Sequence, residues 1–276
     1  MTRDVLATYR VQLHEGFNFY DVAGIAPYLA SLGVTHLYCS PYLQAGTGST
    51  HGYDVLDHTR LNAELGGTQG HETMVAALKA AGISHIVDIV PNHMAISSRR
   101  NRWWWDVLKN GRLSRYATFF DIDWEPPEPK LADLILMPIL GDHYGRVLDR
   151  GEITIERNDD ELVVTYYEHS LPLSPSSVRD LIEIDGAVDD ALERINGDPD
   201  ALHELLEAQH YRLAYWRTAV QELDYRRFFD INSLVALRQE EPEVFDATHE
   251  LVLSLIAQGS VDGVRVDHID GLREPR

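Results

Sequence analysis

The sequence predicts an α/β fold: the first half of a (β/α)8 TIM barrel with an inserted subdomain after its third strand. Three observations carry this. Amphipathic helix, short apolar strand and polar loop recur in that order along the chain. The strands are near-continuously apolar, as parallel strands covered on both faces must be. Polar clusters follow the strands at equivalent positions, where a β/α fold carries its reactive groups. No Gly-x-Gly-x-x-Gly follows the first strand and no Gly-Lys-Ser/Thr loop occurs. The phosphate-cradling signatures of the common doubly wound folds are therefore missing, which favours the barrel.

Residues 9–13 open as a strand. After the capping residue Asn18, Val22, Ile25, Leu29 and Leu32 repeat at three- and four-residue spacing up to Gly33, which predicts a helix despite Pro27. Residues 34–39 form the second strand, and 40–58, rich in Gly, Ser, Thr and Asp, a polar loop. Met74, Val75, Leu78 and Ala81 mark a second helix that stops at Gly82, and 83–90 is a third strand ending in Pro91. The fourth strand, 261–266, follows a helix lined by Val244, Thr248, Leu251, Val252, Leu255 and Ile256. Between Met94 and Arg217 this rhythm breaks. Pro126, Pro127 and Pro129 interrupt it, 153–157 faces 162–167 as a hairpin, and a helix over 198–216 leads back. The expected organisation is 1–94 for the first three β/α units, 95–217 for the insertion, and 218–276 for the return with the fourth strand.

A chain of 276 residues can bury a sizeable core. Its net charge of −20, with three lysines, argues against nucleic acid or an anionic membrane as partner, because both need clustered cations. A neutral polar substrate suits it better. No segment reaches the eighteen apolar residues of a membrane span, and 1–9 lacks the parts of a signal peptide, so a cytoplasmic location is expected. The single cysteine, Cys39, sits in an apolar run and reads as a small core residue.

The polar clusters are His51-Gly-Tyr53-Asp54 after the second strand, Asp88-Ile-Val-Pro-Asn92-His93 at the end of the third, and Arg265-Val-Asp267-His268 on the fourth. Strand alternation puts Arg265 and Asp267 on one face, with Val264 and Val266 on the other. A carboxylate beside a guanidinium stays ionised, which suits a nucleophile and not a general acid; a purely structural ion pair reads equally well. Asn92 and His93 follow a strand end and suit hydrogen bonds to sugar hydroxyls, metal ligation with a nearby carboxylate, or a simple structural hydrogen bond of the histidine. No His-Glu-x-x-His or Cys spacing points to zinc, and calcium held by loop oxygens leaves no such signature. Tyr53 is either a stacking surface for a sugar ring or a loop anchor. Trp103, Trp104 and Trp105 point in different directions on a helix, so core packing competes with a groove lining.

These residues resemble the α-amylase superfamily (glycoside hydrolase family 13). The segment 88–93 is similar to its first conserved region, 263–267 to its second, and 51–54 to the substrate loop after the second strand. Within it the chain resembles the maltooligosyltrehalose synthases nearly end to end, through Tyr9-Arg-Val-Gln-Leu13, Trp103-Trp-Trp-Asp-Val-Leu108, Phe119-Phe-Asp-Ile-Asp-Trp124, Gln209-His-Tyr-Arg-Leu-Ala-Tyr-Trp-Arg217 and Tyr225-Arg-Arg-Phe-Phe-Asp-Ile-Asn232.

The resemblance implies conversion of the reducing-end α-1,4 linkage of a maltodextrin into an α,α-1,1 linkage, with no cofactor and no metal. Asp267 would be the nucleophile and Arg265 its partner. His51, Tyr53, Asp54, Asp88, Asn92, His93 and His268 would bind the glucan, with Tyr53 stacking beneath the reacting sugar. Two departures stand out. Asp270 and Gly271 occupy positions where many amylases carry Lys-His. The second carboxylic acid of a retaining glycosidase, which the family takes from the fifth strand, lies beyond the four strands counted. The chain is therefore expected to be a fragment, inactive alone, prone to aggregate through open edges, and completed by a C-terminal half. The competing readings are an α-glucan hydrolase or transglycosidase, and a glucan-binding module without catalysis.

Overall fold

The computed structural model describes residues 4–185 and 187–275. The chain forms two compact units, residues 1–95 with 236–276, and residues 96–235. Residues 218–235 thus group with the second unit.

The first unit opens with β1 (Thr8–Val11), α1 (Phe19–Ser31) and β2 (His36–Cys39). A capping box starts α1: Asn18 Oδ1 accepts from the Tyr20 amide at 2.9 Å, and Asp21 accepts from the Asn18 amide at 2.8 Å. Two antiparallel strands follow, β3 (Leu43–Ala45) and β4 (Val55–Leu61), then α2 (Gly67–Ala80), β5 (Ser84–Ile89) and β6 (His93–Ala95). The β3–β4 pair corrects the expectation of one polar loop over 40–58. Its apolar residues Leu43, Val55, Leu56 and Leu61 are buried, but the register slips twice along the pair, so the sequence shows no clean alternation.

The second unit contains α3 (Arg102–Asn110), β7 (Ile135–Leu140), α4 (Tyr144–Asp149), β8 (Ile153–Asn158) and β9 (Glu161–Tyr166). The hairpin β8–β9 turns on Asp159-Asp160, with Asp159 at φ 55°, and its register pairs Arg157 with Leu162 as the sequence predicts. Next come β10 (His169–Pro172), α5 (Pro175–Asp185), α6 (Val188–Gly197), α7 (Pro199–Glu207) and β11 (Tyr211–Tyr215), then α8 (Ala219–Glu222), β12 (Arg227–Phe228) and β13 (Ile231–Ala236). Asp198 caps α7 with Pro199 at its first position, so the helix starts where expected, but it ends at Glu207. The helix predicted over 198–216 is therefore corrected at its C-terminal end. Tyr211 and Leu213 are buried, alternating with more open neighbours, and β11 pairs in parallel with β7. Trp104 is core, edge-on to Phe120 at 5.0 Å and Tyr225 at 5.6 Å; Trp103 packs on Tyr116 and Phe119 instead.

The chain returns to the first unit through α9 (Pro242–Ala257) and β14 (Gly263–Val266). Its sheet has the order β1-β2-β5-β14, all parallel. The core joins Val22 and Leu29 of α1, Met74 and Leu78 of α2, and Val252 and Leu255 of α9 to Leu37 and Val87 of the inner strands. Each such side chain contributes about 1.5–3 kcal/mol by leaving water. The inner strands are covered; β14, at one edge, leaves Val264 and Val266 about two-fifths exposed. No helix among the described residues is long and apolar enough to cross a membrane.

Candidate active site

Parallel register brings side chains from all four strands together on the first unit. Arg10 on β1 pairs with Tyr38 on β2, and Asp88 on β5 with Arg265 on β14. Asp88 is the centre. Its Oδ2 accepts from the Tyr38 hydroxyl at 2.6 Å and the Tyr53 hydroxyl at 2.7 Å, and Arg265 Nη1 donates to Oδ1 and Oδ2 at 3.0 and 3.2 Å. The Asp88 side chain has no exposed surface, so this carboxylate rests on complete hydrogen bonding. The same Arg265 Nη1 donates to Asp267 Oδ1. One guanidinium nitrogen thus bridges a buried carboxylate and an accessible one, which realises the same-face placement of Arg265 and Asp267. Partial burial works against the Arg265 charge, but its hydrogen bonds to Asp267 and Asp88 outweigh that and raise its pKa. Burial, then the bond to Asp88, raises both Tyr38 and Tyr53, so both phenols stay protonated donors.

The segment 51–54 curls over this centre. Gly52 sits at φ 78°, where a Cβ would lie 2.1 Å from the Pro41 carbonyl oxygen, so only glycine fits. The Tyr53 amide donates to His51 Nδ1 at 3.0 Å, and the Tyr53 carbonyl meets His93 Nε2 at 3.1 Å. Asp54 is bonded within its own loop to the Ser49 hydroxyl and lies 3.6 Å from His51. The β5 end is buried: Asn92 Nδ2 donates to the carbonyls of Asp267 at 3.2 Å and His268 at 3.0 Å, and Asn92 Oδ1 lies against His93 Nδ1. Burial pulls His93 down to about 4, opposed by its bond with the Tyr53 carbonyl, so the ring is neutral at pH 7. His268 takes a left-handed conformation, φ 48°, with its Nδ1 3.5 Å from Asp270.

All nine residues singled out in the sequence lie on the first unit. Asp88, Asn92 and His93 are buried, each about 1% exposed, whereas His51, Tyr53, Arg265 and Asp267 present surface to solvent. Three neighbours escaped the sequence reading. Tyr38 bonds Asp88, Arg10 Nη2 approaches the Tyr53 hydroxyl at 3.5 Å with its guanidinium 5.7 Å from the Tyr38 ring centre, and Gln12 donates to the Thr50 carbonyl at 2.8 Å. The available signal was alternation: Arg10 and Gln12 share a strand face opposite the buried Val11 and Leu13. No group of three or more His, Cys, Asp or Glu among the described residues could hold a metal ion.

The first unit carries a carboxylate–guanidinium–carboxylate bridge on a parallel β/α sheet, and residues 15–139 match the α-amylase catalytic domain. Along its whole length the chain is similar to maltooligosyltrehalose synthases. It is 43% identical over all of its residues to a Mycobacterium tuberculosis protein carrying the provisional name maltooligosyl trehalose synthase, of which it covers 32%. The solved maltooligosyltrehalose synthase from Arthrobacter ramosus is 41% identical with a TM-score of 0.82, over 98% of this chain and 32% of that one. The DSM5389 glycosyltrehalose synthase gives 39% and 0.84, over 98% and 34%. The chain therefore spans about a third of the length of these relatives.

Proposed function

We propose that this chain is the N-terminal part of a (1→4)-α-D-glucan 1-α-D-glucosylmutase, an intramolecular transglucosidase of trehalose biosynthesis. The Arg265 bridge between Asp88 and Asp267 carries the reading, together with similarity over the whole chain. The four parallel strands are read as half of a (β/α)8 barrel, and residues 96–235 as the insertion after its third strand. Strands from a C-terminal half would pair with the edge at β14 and supply the general acid.

In this reading Asp267 attacks C1 of the penultimate glucose, and the bond to O4 of the reducing-end glucose breaks as the acid protonates that oxygen. The released glucose turns over within the site, and its anomeric hydroxyl attacks the glucosyl–Asp267 ester, returning a proton to the acid and leaving an α,α-1,1 linkage. Water must be kept out while this happens. Arg265 orients Asp267, Tyr53 offers its ring to the sugar, and His51, Asp54 and His268 line the approach; Asp88, Asn92 and His93 hold them in place. No cofactor takes part. The substrate is an α-1,4-glucan, and the one cysteine, buried and free, suits the reducing cytoplasm.

The test is to incubate maltopentaose with the chain alone and with the C-terminal portion of a relative, following reducing ends and free glucose. Loss of reducing ends without new glucose, only in the combined sample and abolished by Asp267→Asn, supports the proposal. A rise in reducing ends identifies a hydrolase. Glucan binding without any turnover in the combined sample identifies a binding module, and turnover by a soluble monomer of the chain alone refutes the need for a second half.

A further inference from the structure

Asp88 is held by donors of two different kinds. Tyr53 belongs to the loop that turns at Gly52, whereas Tyr38 stands in the middle of β2, paired on one side with Arg10 of β1 and on the other with Ile86 of β5. A side chain rooted in a strand bonded on both edges has the better-fixed origin, and a site built on rigid elements is held more closely than one built on loops. The Tyr38 hydroxyl reaches Asp88 Oδ2 at 2.6 Å, the same oxygen that receives the Tyr53 hydroxyl. Arg265 contacts both Asp88 oxygens and, through the same nitrogen, Asp267. Rotation of the Asp88 carboxylate would therefore shift the Tyr53 ring and the Arg265–Asp267 pair together.

We propose that Tyr38 is a positioning residue of the site. From its strand it fixes Oδ2 of Asp88, through which the loop-borne Tyr53 and the Arg265–Asp267 pair are both aligned. Arg10 supports it from outside, with its guanidinium 5.7 Å from the Tyr38 ring centre and one nitrogen 3.5 Å from the Tyr53 hydroxyl. Tyr38 acts only through Asp88, so its loss leaves the reacting groups present but less well aimed. Misplacement of this kind lowers turnover more than affinity, and about 1 Å of it can cost up to a hundredfold. This role rests on the reading of Asp267 as nucleophile.

The test uses the catalytically complete protein, this chain with its C-terminal portion, carrying Tyr38→Phe, which keeps the ring and removes only the donor. The kcat on maltopentaose is expected to fall about tenfold while KM changes less than about threefold. The share of turnovers that release glucose is expected to rise, because a loosened acceptor lets water compete. A defect that merely unfolds part of the sample would lower kcat without moving KM or the product ratio. An unchanged product ratio, or a loss matched by the folded fraction in thermal melting, overturns the proposal. Should Tyr38→Phe fail to fold, Arg10→Met, at an exposed position, decides: the same shift in product ratio at smaller amplitude supports the role, and none overturns it. The wild-type product separates the two readings. If wild type only hydrolyses, the isomerase reading falls, and the kcat loss of Tyr38→Phe beyond its folded fraction still reports on positioning, a loss no larger than that fraction overturning it.

Discussion

Lowering the pH from 7 to 5 is expected to weaken the first unit and tighten the second. His58, His71 and His85 are buried in the first unit, and burial, the largest influence on each, pulls them from 6.5 to about 3, 4 and 4. The unfolded chain takes up a proton at each as the pH drops through 6.5, while the folded unit stays neutral until about 4. Stability is therefore retained above 6.5 and lost between about 6.5 and 4. At pH 5 each histidine costs about 2 kcal/mol, roughly 5–6 kcal/mol together, against a usual domain stability of about 5–15 kcal/mol. Asp224 of the second unit has the opposite sign. Burial raises it from 3.8 to about 7, over the countering bond from the Leu136 amide. Here the folded form takes up the proton first, and Asp224 adds about 2 kcal/mol to the second unit between pH 7 and 5, against a smaller loss at half-buried His210, which burial lowers. Amide hydrogen exchange, corrected for the intrinsic pH dependence of exchange, reads the units separately. Protection in α2 and β5 should fall and that in β7 and β11 should rise, with Asp224→Asn removing the rise. Parallel changes in both units, or undiminished protection in β5 at pH 5, would refute the reasoning.

Gly52→Ala places a methyl group 2.1 Å from the Pro41 carbonyl oxygen at φ 78°, and should cost at least about 2 kcal/mol in urea unfolding; a cost below about 0.5 kcal/mol would show that the 51–54 loop is not held as described. Trp104→Ala removes a buried ring lodged against Phe120 and Tyr225, and about 3–5 kcal/mol of second-unit stability should go with it, measured by denaturant titration of tertiary fluorescence. Val266→Lys puts a charge on the exposed edge strand, where Val264 and Val266 are 41% and 37% exposed, and light scattering should show slower aggregation of the isolated chain; an unchanged rate would move the sticky surface elsewhere.

Periodicity sufficed where an element is decided by its own residues. The capping box before α1, the glycine after it and the 3.6-residue spacing of Val22 and Leu29 are local signals, and α1 begins within a residue of its expected place. It failed where a partner decides. Residues 211–215 read as a continuation of α7, because the strand they join in β7 lies about 75 positions earlier in the chain, and no helix or strand period records it. The site divides in the same way. Asp88, His93, Arg265 and Asp267 were legible as polar residues that interrupt or end apolar strands. Tyr38 was not, because a tyrosine inside an apolar strand reads as core until the residue it bonds is known, and that residue, Asp88, is fifty positions away. Alternation assigns a side chain to a face, and only the parallel register between β2 and β5 turns a shared face into a hydrogen bond. A motif therefore identifies the groups that do chemistry more readily than the groups that aim them. Aiming groups can be of almost any type, provided that a strand holds them at the right register.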